Sequence, residues 1–382
     1  IWLQNIKREK VKGYMNMNEE DRVMSASITP RLYSSKKVAL EDRIPLPTPF
    51  SVHIDVCSAC NFKCSFCFHA DTQAKRDVGL VSGKMPMDLF KKIVDDLKGF
   101  DDPIKKIKIG NNGEPMIHGE LPQMIDYINK SNVTEIIEIF TNGSYLSPEV
   151  NVAMIEAGLD IINVSLEGLS DQRFLEVAGV KVDFNDMIEN IAHLYSVRKN
   201  CKMYVKIADK TSPLDKDRTD MFVLSDDERE YFYNTFGDIC DEIFIEKVAP
   251  QWSEVQLEKQ NKDDTTGIFG QEIKEYKDIC PFTFMYLQYN SNGTVSPCTL
   301  DWPNKVIIGD AYKETAKEIW TGGKLRDLRI AMARGEREGI NFCNHCSAPM
   351  VCVDEDLDPF KDKIFDVLEV SEEEKSGDNQ WL

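Results

Sequence analysis

Cys60, Cys64 and Cys67 follow the apolar run Phe50 to Val56, with three and then two residues between successive cysteines. Three thiolates this close together bind metal and leave a fourth position open. An iron–sulfur cube normally takes four cysteine ligands, so a local triplet implies a distant fourth ligand or an iron kept free for an exogenous one. Cys57 lies three residues upstream and complicates the count. Reading Cys57, Cys60, Cys64 and Cys67 as a zinc site leaves only three residues between the two pairs, too little chain to wrap a tetrahedral ion. A second group comprises Cys280, Cys298, Cys343, Cys346 and Cys352, so nine of the 11 cysteines fall in two clusters. In a large chain without a secretory signal, that distribution argues for metal or redox chemistry rather than a disulfide framework. Cys201 and Cys240 stand alone beside apolar runs and read as buried structural thiols.

The 382 residues, 42% hydrophobic, suffice for one large domain and a smaller one. The net charge of −19 and the lack of any Lys/Arg stripe argue against a nucleic-acid partner and an anionic membrane surface. No run reaches the ~18 apolar residues of a membrane span, and the expected location is cytoplasmic.

The elements that must position the cysteines alternate. Strands are expected at Ser51–Val56, Lys105–Ile109, Thr134–Phe140, Asp160–Leu166, Met203–Ala208 and Glu242–Val248. Helices are expected at Met87–Leu97, Leu121–Asn129, Pro148–Ala157, Phe184–Val197 and Ser225–Phe236. Ser147-Pro148 supplies an N-cap followed by proline, and Ser225 to Glu228 reads as a capping box. Strand–helix alternation demands right-handed crossovers and a parallel sheet, but six units are too few for a complete barrel. The fold class is therefore α/β, a partial (β/α)6 TIM barrel with a small C-terminal iron–sulfur domain. The expected organisation is an N-terminal extension over 1–48, the barrel over 49–252, a linker over 253–279, the auxiliary domain over 280–352 and an acidic, solvated tail over 353–382. Within the auxiliary domain, Phe282 to Tyr289 and the turn Asn290 to Gly293 read as a hairpin. Ala316 to Met332 reads as a helix interrupted at Gly322-Gly323.

The cysteine triplet, with Phe66 just before the last cysteine, resembles the signature of radical S-adenosylmethionine enzymes. That resemblance implies a 4Fe-4S cluster on Cys60, Cys64 and Cys67, whose remaining iron is chelated by S-adenosylmethionine. Asn112-Gly113-Glu114-Pro115, after the second strand, is similar to the family's Gly-Gly-Glu-Pro motif, with Asn112 replacing the first glycine. The resemblance implies that Glu114 offers a carboxylate to the methionine ammonium. Thr141-Asn142-Gly143 ends the third strand, Ser165 and Glu167 end the fourth and Lys206 lies on the fifth; in the family such places contact the cofactor. Phe66 is expected near the adenine. His69 is a candidate to approach the cofactor, whereas His53, His193 and His345 read as packing or exposed histidines. Glu246, Lys247 and Trp252, at the sixth strand, and Asp301-Trp302 are further candidates to face the substrate. Lys206 and Glu246 are the expected catalytic residues.

The second cysteine group resembles the family's auxiliary-cluster modules, called SPASM when complete and twitch when shortened. A complete module has further cysteines, but position 356 is Asp356 and none follows Cys352. One auxiliary 4Fe-4S cluster is therefore expected, on Cys280, Cys298, Cys343 and Cys346, with Cys352 as a substitute ligand. A structural zinc remains an alternative there. A cluster wholly ligated by cysteine cannot bind substrate, so its use is electron transfer. The expected reaction is two-electron oxidation of a small polar substrate, such as a sugar or cyclitol, served by an external one-electron reductant such as flavodoxin or ferredoxin. Peptide maturation, epimerisation and a non-enzymatic iron–sulfur or zinc interaction protein are the alternatives.

Overall fold

The computed structural model describes residues 24–30, 38–80, 82–209, 223–247, 276–353 and 355–377. Ten strands form one sheet: β1 Ser27–Ile28, β2 Ser51–Ile54, β3 Lys106–Ile109, β4 Ile137–Thr141, β5 Ile161–Leu166, β6 Lys202–Asp209, β7 Glu242–Lys247, β8 Tyr286–Tyr289, β9 Thr294–Ser296 and β10 Gly309–Asp310. Their order is β1-β7-β6-β5-β4-β3-β2-β8-β9-β10. From β2 to β7 each strand pairs in parallel with its successor in sequence, which is the expected partial barrel. The auxiliary segment continues the same sheet, because β8 pairs in parallel with the outer side of β2.

Strand residues alternate between two faces, and the pairing register sorts them sharply. Val52, Ile107, Ile109, Ile139, Ile162, Val164, Met203, Val205 and Ile243 fall on one face and are fully buried. That face takes the helices. On the other face the register aligns His53 with Lys108, Lys108 with Glu138, Phe140 with Asn163 and Ser165 with Lys206. Glu138 is 3% exposed, paired with Lys106 at 3.0 Å, and accepts from Asn163 Nδ2 at 2.9 Å. The two lysines hold its carboxyl below the ordinary value against the opposing effect of burial.

Local signals explain the helices that pack outside. Phe184–Val197 begins where Asp183 accepts from the Asp186 amide, Pro148–Glu156 follows the Ser147 cap, and Asp226–Phe236 starts with the Ser225/Glu228 capping box. Gly322 divides Ala316–Thr321 from Gly323–Ala333, as the Gly-Gly pair implies. Cys201 and Cys240 are buried, and Cys240 Sγ donates to the Phe236 carbonyl at 3.1 Å.

Two expectations differ from what is observed. Phe282–Met285 is a helical turn leading into β8, so the hairpin comprises only β8 and β9. The C-terminal segment is not simply a solvated tail: Lys361–Gly377 is a helix. Its Ile364 and Leu368, one turn apart, are buried against Ile279, Phe284, Ile330 and Leu357, an apolar pair that the surrounding acidic residues obscure in the sequence. Trp252 and most of the 253–279 linker lie outside the described residues. The linker's last residues are pinned to that C-terminal segment, with Lys277 Nζ donating to the Glu355 carbonyl at 2.8 Å and the Ile279 amide to Asp358 at 2.8 Å.

Candidate active site

The cysteine loop leaves the C-terminal end of β2, and Asp55 fixes what lies beside it. Its carboxylate accepts the backbone amides of Asn111 and Asn112, both at 2.9 Å. The Glu114 amide donates to the Ala59 carbonyl at 2.8 Å, and His69 Nε2 donates to the Asn112 carbonyl at 2.6 Å. Gly113 is therefore pressed against the loop: a Cβ there would stand 2.2 Å from the Cys57 carbonyl oxygen and 2.7 Å from that of Ala59. The glycine serves close backbone approach rather than flexibility, while the left-handed turn falls at Gly110, with φ 81°. His69 thus braces the turn.

Glu114 ties two strand ends together. Oε1 accepts from the Met116 amide at 3.0 Å and the Thr141 hydroxyl at 2.8 Å, and Oε2 accepts from the Asn142 amide at 2.8 Å. Burial raises the Glu114 carboxyl to about 7 and the Asp55 carboxyl to about 6, against the lowering effect of these donors. Asn142 then reaches the cysteine loop, with Nδ2 2.9 Å from Asn61 Oδ1 and 3.9 Å from Cys60 Sγ. The sequence reading offered Glu114 to a bound ammonium; its oxygens already hold three protein donors.

Burial pushes the Cys60 thiol up to about 11 and Cys67 to about 12, and Cys64 is raised by burial and then by Glu167, Cys67 and Cys60. Cys280, Cys298, Cys343 and Cys346 form a second coupled set, each raised by burial, with Cys298 raised further by the other three. Such thiols become thiolates only beside concentrated positive charge, as an iron cube supplies. Among the described residues no three His, Cys, Asp or Glu side chains converge on a single metal ion. All-thiol donor sets of this kind are what iron–sulfur cubes take. Cys352 is buried on the segment after Cys346.

At the ends of β5 to β7, Lys206 pairs with Glu246. Glu167 lies close by, and desolvation raises its carboxyl to about 7, with Lys206 opposing and Glu246 reinforcing the shift. Ser165 stands opposite Lys206 in register, and a recess lined by Glu167, Gly168, Arg173, Ile207, Ala208 and Leu224 opens beside them. Phe66 is partly buried against the core. His193 accepts from Asn151 Nδ2 at 3.3 Å, and His345 is exposed. Lys247 ends β7.

The auxiliary segment docks on this site. Asn111 Nδ2 donates to the Thr299 carbonyl at 2.6 Å, and the Trp302 ring stacks on Phe68 at 4.6 Å between centroids. Ser291 Oγ meets Ser58 Oγ at 2.9 Å. Asp55, Asn111 and Thr299 were missed in the sequence. Asp55 at the end of the first strand was the only available signal.

An open parallel barrel bearing a thiol triplet at its first strand end, with a second thiol set docked against it, defines an iron–sulfur protein. Residues 54–208 match the radical SAM superfamily, and residues 280–347 match the iron–sulfur cluster-binding domain called SPASM. The chain thus carries a radical SAM domain and a C-terminal SPASM-type iron–sulfur domain, and this combination implies a 4Fe-4S cluster with S-adenosylmethionine and an auxiliary cluster. Curated relatives include a GTP 3',8-cyclase of Chlorobaculum tepidum, 29% identical over 38% of this chain and 40% of the relative. The tungsten-containing aldehyde ferredoxin oxidoreductase cofactor-modifying protein of Pyrococcus furiosus is 30% identical over 31% of each. The match therefore spans under half the length of these relatives. Among solved structures, BtrN in complex with AdoMet and 2-DOIA aligns with a TM-score of 0.51 at 16% identity, over 81% of this chain and 96% of that one. Native anSMEcpe with bound AdoMet aligns with a TM-score of 0.52 at 14% identity, over 86% and 99%. These two likenesses concern the fold. No helix among the described residues is long and apolar enough to cross a membrane.

Proposed function

We propose that the chain is a radical SAM oxidoreductase that removes two hydrogens from a small polar substrate, a sugar or cyclitol. The observation that carries this reading is the polar face of the sheet. Lys108, Glu138, Asn163, Ser165 and Lys206 share one register face, with Glu246 joined to it through Lys206. Phe140, Ile161 and Phe244 lie on the same face, so it sets apolar surface beside charged and hydroxyl groups, a mixture suited to a hydroxylated ring.

When bound, S-adenosylmethionine on the reduced cluster supplies a hydrogen-abstracting 5'-deoxyadenosyl radical, and the auxiliary cluster accepts one electron. In this reading Cys60, Cys64 and Cys67 hold the first cluster, and Cys280, Cys298, Cys343 and Cys346 hold the second. Asn112, Gly113, Thr141 and Asn142 shape the cofactor's seat, held in register by Glu114, and Phe66 flanks it. Glu167, whose carboxyl stands at about 7, takes the proton that a hydroxyl releases on oxidation, and Lys206 and Glu246 orient the substrate and set that carboxyl's affinity. The protein works in the cytoplasm with flavodoxin or ferredoxin as reductant.

The test is anaerobic turnover with dithionite, S-adenosylmethionine and a panel of sugars and cyclitols. The expected result is 5'-deoxyadenosine together with a substrate lacking two hydrogen atoms. Formation of 5'-deoxyadenosine with deuterium uptake from heavy water and no loss of mass would replace oxidation by epimerisation.

A further inference from the structure

Arg337 is fully buried, 0% exposed, yet no carboxylate pairs with it among the described residues. Its guanidinium is held by neutral acceptors. Nη1 donates to the Lys277 carbonyl at 2.6 Å, Nη2 donates to the Cys346 carbonyl, the Tyr276 ring stands 4.7 Å from the guanidinium carbon, and Nε has no hydrogen-bond partner. A guanidinium does not give up its proton in a protein, and burying one without an anion is unfavourable. The second thiol set lies against this cation: Nη2 is bonded to the backbone of Cys346 itself, and Lys277, whose carbonyl takes Nη1, stands three residues before Cys280.

A cube on four thiolates is anionic, and one-electron reduction adds a further negative charge. A fixed cation beside it favours the reduced form, so potential depends on net charge and surroundings. We propose that Arg337 is a positioning residue that raises the reduction potential of the auxiliary cluster, and that Asp301 opposes it. Asp301 is 2% exposed, lies three residues after Cys298 and accepts the Lys305 and Val306 amides at 2.8 and 2.7 Å, which fixes a buried carboxylate close to that ligand along the chain. The electron comes from the substrate as it loses its proton, or from dithionite in a titration. A higher potential makes the auxiliary cluster a better acceptor and biases the reaction toward oxidation.

This inference rests on reading Cys280, Cys298, Cys343 and Cys346 as cluster ligands, and the experiment separates the two. The reconstituted full chain is assayed for iron and titrated with dithionite under EPR detection, as wild type and as Arg337→Lys, Arg337→Gln, Arg337→Met and Asp301→Asn. If the wild type holds about four irons rather than about eight, the reading of the ligands fails. With about eight present, the auxiliary midpoint is expected to fall in the Gln and Met variants, stay close to wild type in Lys, and rise in Asp301→Asn, while the other cluster's midpoint stays fixed. An unchanged midpoint in the neutral variants overturns the role of Arg337. Loss of auxiliary iron in Gln and Met but not Lys supports a charge requirement, whereas loss in all three makes the residue structural and overturns the proposal.

Discussion

The side-chain amide of Asn111 meets the backbone carbonyl of Thr299 at 2.6 Å, joining the turn beside the first cysteine loop to the residue after Cys298. With the Phe68–Trp302 stack, it holds the two thiol sets in one rigid arrangement. Trp302→Ala is expected to remove a stacked pair worth about 1 kcal/mol beyond its buried area. Calorimetry should show a lower Tm, and single-turnover kinetics should show slower oxidation of the substrate with cofactor binding little changed.

Gly113→Ala places a methyl group 2.2 Å from a backbone oxygen that cannot rotate away. Overpacking of this kind costs about 1–3 kcal/mol. The expected outcome is weakened S-adenosylmethionine binding by isothermal titration and reduced iron at the first site; unaltered binding would show that the loop can yield.

Burial raises Glu114 to about 7 and Asp55 to about 6 in the folded chain. Between the ordinary carboxylate range and these values the folded state binds more protons than the unfolded state, so stability falls as pH rises. Urea denaturation of the cluster-free chain should give greater stability at pH ~5 than at pH ~8, with Glu114 contributing about 2 kcal/mol of the difference. Glu114→Gln should flatten the dependence and, by turning an acceptor toward the Asn142 or Met116 amide into a donor, lower stability at the acidic end.

Cysteine replacement should divide the thiols. Changing Cys60, Cys64 or Cys67 to alanine is expected to remove about four irons, as is changing Cys280, Cys298, Cys343 or Cys346. Cys57→Ala should keep them all, because its thiol is spent on the Ala59 carbonyl at 3.6 Å, and Cys352→Ala should do the same. Iron and sulfide assays decide each case.

Lys206 lowers the proton affinity of Glu167, and Glu246 raises it. Lys206→Met should shift the acid limb of the rate profile to higher pH and reduce kcat/KM by about 100-fold. Glu246→Gln should shift the limb the other way, and a profile identical in both variants would remove Glu167 from the proton path.

The barrel strands were legible because burial on both faces or strict alternation stamps them with Val and Ile, and the helices because caps such as Ser147 and Ser225 announce them. Phe282–Met285 misled because aromatic residues suit either a strand or a buried turn. The helix at Lys361–Gly377 was hidden behind its acidic surface. In the site, thiol spacing and the Asn112 to Pro115 turn could be read directly. Asp55, Asn111 and Arg337 could not, since their partners belong to other loops and meet them only in the folded sheet.

The parallel pairing of β8 with β2 bears on modularity. β2, which delivers the cysteine loop, would otherwise present an unpaired edge, the kind of surface on which chains join one another. The auxiliary segment is thus also the sheet's protective border, and a barrel severed from it would be prone to self-association.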